Sequence, residues 1–87
     1  MTTFIRARAE QPSRYQLAVH SADEASIEDT AEPMSIEHTV QLTVWPPMSI
    51  SDAVVEVGRL AQIAGQDAVP VFIDDVSWWR AELPPLD

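Results

Sequence analysis

The chain has 87 residues, 46% of them hydrophobic, and its 14 Asp and Glu against 5 Arg give a formal net charge of -9. It holds no cysteine, which excludes a disulfide framework, a thiolate metal site and a cysteine nucleophile. Free nucleic acid and anionic membrane surfaces are excluded as ligands on charge, because phosphates select a basic footprint.

A chain of this length reads as one small domain, 1–87, burying roughly 60–65% of its unfolded surface. The opening MTTFIRARAEQ has no apolar targeting run, and no apolar stretch nears the ~20 residues a membrane helix needs. With no cysteine present, the expected location is the cytoplasm. Along the chain, TTFIRARAE (2–10) is a strand candidate with Ile5, Ala7 and Ala9 on one face and Phe4, Arg6 and Arg8 on the other. Gln11-Pro12-Ser13 carries turn chemistry, and RYQLAVH (14–20) alternates Tyr15, Leu17 and Val19 against Gln16, Ala18 and His20. Together they predict a β-hairpin.

Residues 21–35 hold five acids and no base, which predicts an acidic solvated loop ended by Pro33. IEHTVQLTVW (36–45) alternates Val40, Leu42 and Val44 with Thr39, Gln41, Thr43 and Trp45 and reads as a strand stopped by Pro46-Pro47. A helix follows over about 49–64. Ser49 is the N-cap with Asp52 three residues on, and Ile50, Ala53, Val54, Val57, Leu60, Ala61 and Ala64 recur at helical spacing. Gly65 fits the stop, and Gly58 either weakens the helix or permits close packing on a sheet.

AVPVFIDDVSWWRAE (68–82) reads as a second hairpin turning at Asp74-Asp75, although a two-residue loop prefers Gly at its second position. The alternative is a short helix capped by Asp74 or Asp75, with Val76, Trp79 and Leu83 on one face. Pro84-Pro85 then ends the ordered part, leaving 84–87 as a tail. The predicted class is α+β in two layers, β-β-β-α-β-β, with one amphipathic helix on an antiparallel or mixed sheet.

In that arrangement Ile5, Tyr15, Leu17, Val19, Val40, Leu42, Val44, Val71, Ile73 and Trp78 would meet the helix. Phe4, Arg6, Arg8, Gln16, His20, Gln41, Thr43, Trp45, Phe72 and Trp79 would lie on the opposite face, an aromatic and arginine mixture of the kind that anchors interfaces. The register decides this assignment, because a slip of one residue exchanges the two faces.

Chemistry-bearing patterns are few. His20, Asp23, Glu24, Glu37 and His38 offer imidazoles and carboxylates without the spacing of a metal site, so no metal or cofactor is expected. Only Gly58 and Gly65 occur, so the chain has neither a phosphate-cradling loop nor a Gly-x-Ser-x-Gly elbow. Asp74-Asp75 sits at a predicted turn tip, the wrong setting for a split acid–base pair. Enzyme activity is not expected.

Eight acids and no base fall between Tyr15 and Gly58. In size, acidity and lack of catalytic motifs the chain resembles small acidic phage proteins that block host defence complexes, the anti-CRISPR class among them. The resemblance is one of profile and rests on no shared motif. It implies a nucleic-acid mimic that docks on a basic, nucleic-acid-binding surface of a larger protein. Asp23, Glu24, Glu28, Asp29, Glu32 and Glu37 would steer association, with Trp45, Phe72, Trp79, Arg6 and Arg8 as anchors. The alternative is a homodimer or assembly component packing through the second sheet face.

Overall fold

The computed structural model describes residues 2–7, 13–31 and 41–87. Five strands form one mixed sheet, β1 (Thr3–Arg6), β2 (Tyr15–Ser21), β3 (Glu24–Ala31), β4 (Gln41–Val44) and β5 (Ala68–Ile73), in the spatial order β1-β5-β2-β3-β4. Between β4 and β5 runs the helix α1 (Ile50–Ile63). β1, β5 and β2 are parallel, while β2, β3 and β4 form an antiparallel meander. The α+β class and the single helix over one sheet face are as expected, and the strand order is not. β1 and β2 do not pair as a hairpin, because β5 lies between them.

The helix obeys its local signals. Ser49 Oγ accepts from the Asp52 backbone N–H, and Gly65 takes the left-handed conformation (φ 72°) after the last turn. Ile50, Ala53, Val54, Val57 and Ala61 are buried, on the 3.6-residue stripe. They rest on Leu17 and Val19 of β2, Ala25 and Ile27 of β3, and Val69, Val71 and Ile73 of β5, all buried. At Gly58 a Cβ would stand 3.9 Å from Phe4 Cζ, an ordinary contact, so the seating of the helix on the sheet does not require glycine there.

Five further expectations fail here for physical reasons. In β1 the faces are exchanged. Phe4 is in the core at 3% exposure, whereas Ile5 is 36% exposed on the far face. Both residues are apolar, so alternation alone could not choose, and the deeper space beside Gly58 takes the larger ring. Residues 24–31 of the expected acidic loop are the strand β3, joined to β2 by the turn Ala22-Asp23. Its Ala25 and Ile27 point into the core between Glu24, Ser26 and Glu28, a period-2 pattern that small and charged residues conceal.

In β4 the register pairs Val44 with Glu28 and Thr43 with Asp29, so Val44 lies on the far face, 54% exposed, rather than in the core. The expected strand residues 36–40, with Val40, lie outside the described residues, as do Arg8, Ala9, Glu32, Glu37 and His38.

The second hairpin is also absent. After β5 the chain enters a 3-10 turn, Val76–Trp78, whose N-cap Asp75 accepts hydrogen bonds from the Ser77 backbone N–H (2.9 Å) and hydroxyl (2.7 Å). This is the short-helix alternative, and the turn lacks the glycine a two-residue hairpin wants. Nor does order end at Pro84-Pro85. Leu86 bridges to Phe4 in parallel, the Asp87 N–H donates to the Phe4 carbonyl (2.9 Å), and the Arg6 N–H donates to the Asp87 carbonyl (2.8 Å).

Candidate binding surface

Alternation along each strand fixes which side chains lie away from α1. On β1 and β5 these are Ile5, Pro70 and Phe72; on β2, Gln16, Ala18 and His20; on β3, Glu24, Ser26 and Glu28; and on β4, Val44. The middle of this face is closed, since Pro70 is buried and Ser26 is 1% exposed. Its margins are open: Ile5 on one side, Val44 on the other, and His20 and Glu24 at the end near the β2–β3 turn. Phe72 is half-buried.

The expected anchors are therefore dispersed. Of Trp45, Phe72, Trp79, Arg6 and Arg8, only Phe72 is placed on the far face by the described residues. Trp45 follows β4, donates its N–H to the Ile27 carbonyl (2.9 Å) and packs half-buried against the core. Trp79 comes round on the 3-10 turn to the helix side. Its ring lies 5.7 Å from that of Phe4, centroid to centroid, and its indole N–H donates to the Pro84 carbonyl (2.7 Å). Trp78 is half-buried against the same core. Arg6 pairs in register with Val71, on the helix side, and its Nη2 donates to the carbonyls of Ile73 (3.3 Å) and Asp74 (3.4 Å).

The acids are ordered along one ribbon. Glu24 and Glu28 share the far face of β3, ~13 Å apart at the usual strand rise, while Asp29 takes the other face and Asp23 the turn. Each has its own surroundings. Glu28 Oε1 accepts from Gln16 Nε2 across the strand (2.6 Å), Asp29 accepts from Arg14 Nε (2.8 Å), and Asp23 meets Arg80 (3.4 Å). Glu24 is exposed. On the outer helix face the Arg59 guanidinium binds Glu56, holding that carboxyl below its ordinary value and the guanidinium above its own. The hydroxyl and amide of Ser77 likewise hold the Asp75 carboxyl below its ordinary value.

His20 Nε2 lies 2.9 Å from Ser26 Oγ, the separation of a base and a nucleophile. Ser26 is nevertheless sealed from solvent between two strands, so the contact ties β2 to β3 and offers no reacting oxygen to a substrate. Among the described residues no three His, Asp or Glu side chains gather as metal ligands, and no helix is long and apolar enough to cross a membrane.

Sequence reading missed Gln66. Its side chain accepts from the Tyr15 N–H (2.9 Å) and donates to the carbonyls of Tyr15 and Ala68 (2.8 Å each), closing the starts of β2 and β5 together. A lone glutamine after a helix gives no signal of this. The chain matches no family model, no curated protein and no solved structure.

Proposed function

We propose that this is a small non-enzymatic binding protein of the cytoplasm that occupies a basic surface on a larger protein, as an inhibitor or adaptor. The observation that carries the reading is the placement of Glu24 and Glu28 on one ordered strand face. These two carboxylates, at fixed separation, share that face with half-buried Phe72 and exposed Ile5 and Val44. A net charge of -9 draws such a ribbon toward positive potential over distances of about a Debye length. The apolar side chains then supply the desolvated contact that slows release. Trp45 and Trp79, packed on the core, are supports in this reading and no longer anchors.

The test begins with solution mass by light scattering across a range of concentrations. A monomer is then used as bait, and association is followed at several salt concentrations. Glu24→Lys with Glu28→Lys is expected to slow association roughly tenfold and flatten its salt dependence, while Phe72→Ala speeds dissociation. A dimer that survives dilution, or association indifferent to salt and to both charge reversals, would overturn the reading.

A further inference from the structure

The C-terminal segment, itself no strand of the sheet, satisfies the outer edge of β1. β1's outward backbone groups, the Phe4 carbonyl and the Arg6 N–H, both bond to Asp87. Leu86, bridged to Phe4, is half-buried beside Trp79. An open groove of about 520 Å³, lined by Arg6, Val76, Trp79, Leu86 and Asp87, continues from this seat. Holding the segment are two backbone bonds, the Trp79 indole bond to the Pro84 carbonyl, and the partly buried side chains of Leu83 and Leu86. That hold is much slighter than the one on β5, which is bonded on both sides and has Val69 and Val71 fully buried.

We propose that the outer edge of β1, with the apolar seat beside Phe4 and Trp79, is a strand-addition site for an extended peptide running parallel to β1, and that residues 83–87 are its intramolecular occupant. The seated residues define the ligand's chemistry. It is an extended segment that offers an N–H to the Phe4 carbonyl and a carbonyl to the Arg6 N–H, with a leucine-sized side chain on the residue before. Two preceding prolines, Pro84 and Pro85, keep the occupant extended and lower the entropy lost on seating it. Backbone bonds give such a site its affinity and the single side-chain seat its selectivity. A peptide from a partner binds only after the strap leaves, so the apparent affinity is reduced by the fraction of time the seat is empty. Loosening the strap by substitution restores that affinity. The site is separate from the far-face surface above, and neither depends on the other.

The experiment uses the full chain and a synthetic peptide, Glu-Leu-Pro-Pro-Leu-Asp, copying residues 82–87. Amide exchange by NMR is expected to show the Arg6 N–H exchanging at least tenfold faster than the amides of Val69 and Val71, which report global opening. In Leu86→Ala the Arg6 N–H should exchange faster still, with the core amides little changed. The peptide should bind this variant about tenfold more tightly than the parent and restore protection to Arg6, whereas a peptide with Asp in place of its final Leu should not. Should Leu86→Ala unfold the chain, Leu86→Val provides the milder loosening with the same readouts. Arg6 exchanging only together with Val71 would overturn the proposal, since the strap would then be an integral part of the fold. Equal binding of the peptide to parent and variant, or no protection of Arg6 at millimolar peptide, would overturn it as well.

Discussion

Gly58 offers a test of how α1 seats on the sheet. Glycine inside a helix is less favourable than alanine by about 1 kcal/mol, largely through the freedom it has when unfolded. Against that gain stands the space available. A Cβ built at Gly58 meets Phe4 Cζ at 3.9 Å, an ordinary van der Waals distance, and meets nothing nearer. Gly58→Ala should therefore stabilise the protein by about 1 kcal/mol, raising Tm by roughly 4–8 °C for a domain of this size. Urea titrations followed by far-ultraviolet circular dichroism and by tryptophan fluorescence should give the same shift with an unchanged slope. Lowered stability would mean that Phe4 and the helix backbone approach more closely than described. The placement of Phe4 as the β1 residue beneath the helix would then have to be given up.

Gly65→Ala should act in the opposite sense, costing about 1 kcal/mol, because φ is 72° there and the surrounding space is open; an equal or higher Tm would refute the left-handed stop. Leu17, fully buried at the centre of the sheet, should cost about 2–5 kcal/mol on replacement by alanine. A chain of 87 residues has a total stability of about 4–13 kcal/mol, so a loss of that size should appear as a clearly lowered urea midpoint by fluorescence, and a loss under about 1 kcal/mol would contradict the core assignment. The Asp75 carboxyl, held below its ordinary value of 3.8 by Ser77, should titrate by NMR below that value. Because its folded pKa is the lower one, the cap's contribution is complete above 3.8 and is lost as pH falls through the folded pKa. A midpoint at or above 3.8, or a Ser77→Ala variant with the same midpoint, would rule out the cap.

What could be read from the sequence was whatever one local signal decides. The Ser49 cap, the 3.6-residue stripe and Gly65 act within a few residues of one another, so α1 was legible to within a residue at each end. The strands were harder because a strand's partner is chosen by tertiary contacts. Nothing local says that Val69–Ile73 inserts between β1 and β2, and TTFIRAR places apolar residues on both of its faces. β3 was hidden by its composition: five of its eight residues are Glu, Ser, Asp or Thr, yet Ala25 and Ile27 suffice to hold it in the core. The candidate surface inherited these errors. Exchanging the faces of β1 moved Phe4 and Arg6 to the helix side, and replacing a hairpin by a 3-10 turn took Trp79 with them. Adjacent tryptophans on a strand must point oppositely, but on a tight turn both can lie against one core, as Trp78 and Trp79 do.

The acids remain the feature that stability does not account for. Three of the four described carboxylates on the β2–β3 ribbon have a local partner, yet the pairs Arg14–Asp29 and Arg80–Asp23 stand in solvent, where such contacts contribute no more than about 1 kcal/mol. A charge of -9 on so small a body also repels itself in the folded state. Alanine or glutamine at Glu24 and Glu28 would fit the same strand with less repulsion. Solubility accounts for a surplus of acid in general but not for its position on a sheet face that also carries Phe72, Ile5 and Val44. The proposed docking on a positively charged protein would use both features at once, the carboxylates in the approach and the apolar margin in the contact.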